Sequence, residues 1–173
     1  MSISYYDVTV PMFIKNLTNL KAFLEKGAAH AIEMGVNEAD FLGARLSPDM
    51  FPLLKQIQIA TDNAKGAAAR LTDVDPLKIE DVETTVAELC ARIDTVVAFL
   101  KTFTKEQFTE AATKQITVQY YPGKYFTGHD YLVEFVIPNF FFHMNMAYAI
   151  IRASGVPLGK GDYLGALTMH DVA

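Results

Sequence analysis

Apolar residues recur at helical spacing through four long stretches of the chain. In the first, Phe13, Leu17, Leu20, Leu24, Ala28 and Ala31 each stand three or four positions from the next, so one helix face carries them all. Thr9 is placed to cap that helix, Pro11 falls in its first turn and Gly35 ends it. The second stripe runs Met50, Leu53, Ile57, Ala60, Ala64, Ala67 and Leu71, after the start signal Ser47-Pro48-Asp49. Asp49 is its expected cap, and its small residues let a neighbouring helix approach closely. Between these two, a single turn of helix is expected within Asn37 to Leu46. The third helix starts near Thr85, which stands three residues before Glu88 as in a capping box, and buries Val86, Leu89, Ile93, Val96 and Leu100. The last runs from about Gly128 to Ser154, with Gly155 and Pro157 as stop signals and Pro138 as the expected site of a kink.

Between the third and last helices the period changes. Thr104 and Gln107 predict a short helix around Phe108. Ile116, Val118 and Tyr120 then alternate with polar positions before a Pro122-Gly123 turn leads to Tyr125 and Phe126, which reads as a small hairpin. The pattern predicts an all-α fold, a four-helix bundle with a small β-hairpin before the last helix, in one domain over residues 1–173.

Composition narrows the partners. Hydrophobic residues make up 51% of the 173 positions and charged ones 20%, which is enough to bury a shared core without a metal or disulfide. The net charge of -5 and the lack of Lys/Arg clusters speak against nucleic acid. The stretch from Phe135 to Ile151 is uncharged, but it is short of a membrane span and carries Pro138, Asn139, His143 and Asn145. It reads as a helix buried in protein, not in lipid. With one cysteine, Cys90, and no secretory pattern at Met1 to Tyr5, a cytoplasmic location is expected.

The last helix holds the candidate chemistry. On a regular helix His129, Leu132, Val136, Asn139, His143, Ala147, Ile150 and Ser154 share one face. Fourteen residues, roughly 21 Å, separate the two histidines, so they cannot share a metal. Asn139 and His143 are one turn apart, the spacing of a two-ligand helical motif. Phe140, Phe141 and Phe142 point about 100° apart and cannot all face one core. With Tyr148 and Ile151 expected on the outer sides, they predict an apolar surface and a homodimer. His30 and Cys90 read as structural, His170 as solvated, and His129-Asp130 as an ordinary start of the helix.

The runs Pro138-Asn139-Phe140-Phe141-Phe142-His143, Ala147-Tyr148-Ala149-Ile150-Ile151-Arg152 and Gly155-Val156-Pro157-Leu158-Gly159-Lys160 look like an uncharacterised bacterial subfamily of the DinB/YfiT-like superfamily. Met50-Phe51-Pro52-Leu53 and Asp162-Tyr163-Leu164-Gly165 extend the resemblance nearly end to end. It implies an antiparallel four-helix bundle and a divalent metal site, commonly zinc or nickel, built from one His on the second helix and a His-x-x-x-His pair on the last. This chain departs from that pattern. His143 stands in the second position of the pair, Asn139 in the first, and Gln56 falls near the remaining ligand position. Carboxamide oxygens are poor ligands for such metals, so no metal or other cofactor is expected. Three readings follow for Gln56, Asn139 and His143: a buried hydrogen-bond network, a small-molecule site lined by Phe and Tyr, or a retained metal centre. The expected function is that of a dimeric small-molecule-binding or non-catalytic protein. The alternative, implied by the resemblance, is a metal-dependent thiol transferase or isomerase holding zinc or nickel.

Overall fold

A computed structural model describes residues 3–172. Helix α1 (Val10–Glu33) is followed by the short α2 (Glu38–Gly43), then α3 (Leu53–Thr72) and α4 (Val86–Leu100). Two 3-10 turns, Lys105–Phe108 and Ala111–Thr113, lead to strands β1 (Gln115–Ile116) and β2 (Phe126–Thr127). The last helix comprises α5 (Gly128–Asp130), a π-helical stretch Tyr131–Val136 and α6 (Ile137–Ala153), and α7 (Lys160–Leu164) closes the chain's helices. The apolar stripes of α1, α3, α4 and α6 merge into one core.

The long helices run as two antiparallel pairs. Against the last helix, α3 is antiparallel, because Gln56 meets His143 while Arg70 meets Tyr131. Helix α1 runs with α6, as Phe13 packs on Phe140 and Phe23 on Tyr148. The extended segment 73–85 climbs back along α3, where Lys55 holds Asp81 and Gln58 holds Glu83. Helix α4 therefore starts near the beginning of α3 and runs parallel to it, which is why a long strap and not a tight turn joins them.

Most helix boundaries follow the sequence signals. The Thr85–Glu88 capping box forms, with the Glu88 amide donating to Thr85 Oγ1 at 3.2 Å. Gly35 adopts a φ of 70° and lets the Val36 amide reach back to the Ala31 carbonyl at 2.9 Å. Two caps differ from expectation. The Thr9 hydroxyl donates backwards to the Tyr5 carbonyl at 2.6 Å instead of capping α1. Asp49 accepts from the Ser47 hydroxyl inside a turn, and α3 starts three residues later, after Pro52. Proline disfavours helical backbone at the residue before it, and here Phe51 stays outside the helix, so Met50 drops out of the stripe.

The hairpin is reduced to two bridges, Gln115 with Thr127 and Ile116 with Phe126. Beyond them the aromatic rings take over from strand pairing: Tyr121 and Phe126 pack against Phe135 at centroid distances of 6.3 and 5.9 Å. This cluster sits on the π-helical stretch, immediately before Pro138. Proline has no N–H and its ring crowds the carbonyl four residues back, and the wider π turn accommodates both defects.

The π turn corrects the expected helix face. An extra residue in a turn rotates everything before it by about 100° relative to everything after. His143 is buried, but His129 is exposed, with the Tyr5 hydroxyl 2.9 Å from its Nδ1. Of the three phenylalanines, Phe140 is fully buried, Phe141 half-buried and Phe142 exposed at 52%. Tyr148 and Ile151 are not outer residues. Tyr148 packs edge-on against Phe23 and Tyr163, and Ile151 is buried beside Gly27, where a Cβ would come within 2.9 Å of it. Helix α7 covers this side, held by Lys26–Asp162 at 3.1 Å and by Asn19 donating to the Tyr163 carbonyl. Among the described residues no helix is long and apolar enough to cross a membrane.

Candidate functional site

The seam between α3 and the last helix carries three polar rungs. Gln56, Asn63 and Arg70 lie seven residues apart on α3 and so share one face. Across from them stand His143, Asn139 and Tyr131. At the first rung Gln56 Oε1 lies 2.7 Å from His143 Nδ1, while Gln56 Nε2 donates to the Phe51 carbonyl at 3.0 Å. The second rung is Asn139 Nδ2 donating to Asn63 Oδ1 at 3.0 Å. At the third, an Arg70 guanidinium nitrogen donates to the Tyr131 hydroxyl at 3.1 Å. Gln56 and His143 thus meet, whereas Asn139 bonds Asn63, and the expected three-residue cluster is divided between two rungs.

The first rung fixes a tautomer. A carbonyl only accepts, so the Phe51 oxygen must face the Gln56 NH2 group, and the amide oxygen therefore faces His143. Nδ1 must then carry the proton, leaving a lone pair on Nε2. Burial holds the imidazole neutral by lowering its pKa from 6.5 to about 4. Nε2 makes no hydrogen bond with the described residues. The Phe142 ring flanks the imidazole edge-on at 5.2 Å, and Phe51, whose carbonyl anchors Gln56, is itself exposed.

The opposite side of α3 holds a charged cluster. The Arg92 side chain is 1% exposed. Nε donates to Thr61, Nη1 to Glu83 and the Glu80 carbonyl, and Nη2 to Asp62, while Asp81 pairs with Nη2 as an ion at 3.0 Å. Lys55 and Lys65 bind the outer sides of Asp81 and Asp62, and Gln58 donates to Glu83. Burial pushes the Asp81 and Glu83 carboxyls up, but the contacts with Lys55 and Arg92, and with Arg92 and Gln58, outweigh it and leave both below their ordinary values. This cluster fastens the 73–85 strap to α3 and α4. Cys90 lies nearby in the sequence, its thiol pushed up to about 11 by burial and by Glu25, which leaves little thiolate near neutral pH.

Residues 5–164 match the family described as a domain of unknown function, DUF1993. The chain belongs to the DUF1993 family. It is also similar to a solved structure, the crystal structure of a DinB family member protein from Shewanella denitrificans, with a TM-score of 0.93 and 44% identity. That alignment covers 96% of this chain and 95% of the other, so the bundle is DinB-like over nearly its whole length. None of the curated proteins compared matches it.

The DinB resemblance implies a zinc or nickel centre at the first two rungs, and the residues of this DUF1993 chain do not fit one. His143 Nε2 is the single imidazole lone pair on offer. The Gln56 oxygen already accepts from Nδ1–H, and Asn139 is turned to Asn63. Among the described residues no three His, Cys, Asp or Glu side chains converge as metal ligands. Zinc and nickel favour imidazole and thiolate over neutral carboxamide oxygen.

The second and third rungs, and the Arg92 cluster, were not anticipated from the sequence. Two signals were available. Gln56, Asn63 and Arg70 repeat at seven-residue intervals in an otherwise small and apolar face. Arg92 stands between Leu89 and Val96 on the buried side of α4, downstream of the acidic run Glu80-Asp81-Val82-Glu83.

Proposed function

We propose that this DUF1993 protein is a non-catalytic, DinB-like bundle in which the former metal position has become a hydrogen-bonded joint between α3 and the last helix. The observation that carries the reading is the closed chain from the Phe51 carbonyl through the Gln56 amide to His143 Nδ1–H. It occupies the Gln56 oxygen and His143 Nδ1 and leaves a single imidazole lone pair, too few strong donors for a zinc or nickel ion. Purified protein should therefore contain well under one equivalent of transition metal by mass spectrometry. One tightly held equivalent of zinc or nickel, lost on His143→Ala, would overturn the proposal and favour the alternative, a metal-dependent thiol transferase or isomerase.

The protein works as a homodimer in this proposal, through the exposed rings of Phe142 and Phe51. Light scattering after size exclusion at micromolar concentration should give twice 19.2 kDa, and Phe142→Glu should give the monomer. A monomeric native protein would refute it. A single buried Cys90 suits a reducing cytoplasm. A small-molecule role for the same residues has one feature in its favour, the lone pair of His143 Nε2 beside those two rings.

A further inference from the structure

Arg70, the α3 member of the third rung, lines a cleft. A depression of about 300 Å³ lies between the end of α3, the start of the 73–85 strap and β1, with Arg70, Gln115 and Thr117 as polar walls and Val74, Pro76 and Ile116 as apolar ones. That volume is at the lower end of small-molecule sites.

Three features prepare Arg70 for a ligand. The first is its orientation: the Tyr131 hydroxyl accepts one of its terminal nitrogens, and Tyr131 is itself buried and held by the π-helical stretch. The second is space, since a Cβ on Gly66, one turn earlier on α3, would overlap the Arg70 Nη1 atom. A glycine inside a helix is less favourable than alanine, and here it lets the guanidinium lie back along α3 toward Tyr131. The third is charge. Arg92 has three carboxylates around it, but Arg70 forms no ion pair with any described carboxylate. Asp73 on the same rim is paired with Lys114, so the cleft keeps one uncompensated positive charge in a protein whose net charge is -5.

The far wall is equally fixed. The 3-10 turn before β1 packs against Gly128 so closely that a Cβ there would overlap the Ala111 carbonyl oxygen, and the two β bridges hold Gln115 and Ile116 to the start of the last helix.

We propose that this cleft binds a small organic carboxylate with a short apolar body, its carboxylate on the free donors of Arg70 and its hydrocarbon part against Val74, Pro76 and Ile116. A planar guanidinium matches a carboxylate through two parallel hydrogen bonds. A guanidinium pairs phosphate as readily, so the preference for a carboxylate with a hydrocarbon body rests on the apolar walls. This site is separate from the Gln56–His143 joint, and neither proposal depends on the other.

Titration of the isotope-labelled full chain with hexanoate, read from backbone amide resonances, tests it. Hexanoate should shift Arg70, Gln115, Ile116 and Thr117 saturably with a dissociation constant of about 1 to 10 mM. Hexanamide, the neutral isostere, should bind about ten-fold more weakly or worse. Arg70→Gln should abolish saturation. Gly66→Ala keeps the helix and the charge but displaces the guanidinium, and should weaken hexanoate about three- to ten-fold while the spectrum stays that of a folded chain. No saturable shift with hexanoate, equal binding of hexanamide, equal binding by Arg70→Gln, or inorganic phosphate binding as tightly as hexanoate would each overturn the proposal.

Discussion

The side of α3 facing the last helix and the side facing α4 bury polar groups in different ways. Toward α6 stand neutral pairs, Gln56 with His143 and Asn63 with Asn139, and the one charged group of that face, Arg70, stays exposed at its end. Toward α4 stands an ionised cluster in which one buried guanidinium is shared among Asp62, Asp81 and Glu83. Neutral groups cost little to bury once each is bonded, so a pair can be replaced when both partners change together. A buried charge costs far more, and it is tolerated only while all its partners are present. The neutral side can therefore exchange one matched polar pair for another while the helices stay in place. The charged side ties down an extended strap that has almost no regular structure of its own.

The strongest way to break the comparison is Arg92→Ala. It should destabilise the fold by about 3 to 5 kcal/mol in urea denaturation, because Glu83 and its neighbours lose their counter-charge inside the bundle. A loss near 1 kcal/mol would show that the strap relaxes and exposes the carboxylates to water, and would erase the contrast.

His143→Ala should cost about 1 to 3 kcal/mol, through a cavity and an orphaned Gln56 oxygen. Its pH signature sharpens the test. The unfolded imidazole takes up a proton near 6.5 and the folded one only near 4. Between those values the unfolded state holds more protons, so stability is complete above about 6.5 and falls as the pH drops toward 4, by at most about 3 kcal/mol. Asp81 and Glu83 have folded pKa values below their ordinary 3.8 and 4.5. Their contribution is present above those values and is lost only at lower pH. Melting temperature against pH should thus show two separate declines, and His143→Ala should remove the upper one alone. An upper decline that survives in the variant would assign it elsewhere. A variant that kept its melting temperature yet lost a ligand found in a metabolite screen would make His143 a binding residue and not a joint.

Asn139→Ala should have the smallest effect, about 0.5 to 1.5 kcal/mol, since Asn63 is only partly buried and water can replace the lost bond. A loss above 2 kcal/mol would mean that the neutral rungs act as one network and not as separate pairs.

The difference between legible and illegible features follows the range of the interactions. The Thr85–Glu88 box, the Gly35 stop and the apolar stripes are set by residues within a turn or two of each other, so periodicity and cap chemistry suffice to place them. The exposure of Phe142 follows from the same geometry, since three consecutive residues cannot share a face. Asp49 misled because two start signals compete within four residues, and the restraint that Pro52 places on Phe51 outweighs a side-chain cap. His129 misled because a regular period was carried through Pro138, where the helix takes up an extra residue.

By itself the sequence determined four helices, most of their buried faces and the short turn around Phe108. Local hydrogen bonds and a 3.6-residue period are written in neighbouring residues. Only the tertiary structure decided that α3 and α4 run parallel, that Asn139 turns to Asn63, that Tyr148 and Ile151 are covered, and that Arg92 gathers three carboxylates. Those outcomes depend on which residues, tens of positions apart, are brought together when the bundle closes. The 73–85 strap shows the reason most plainly: its charges find their partners only after α3 and α4 are already side by side.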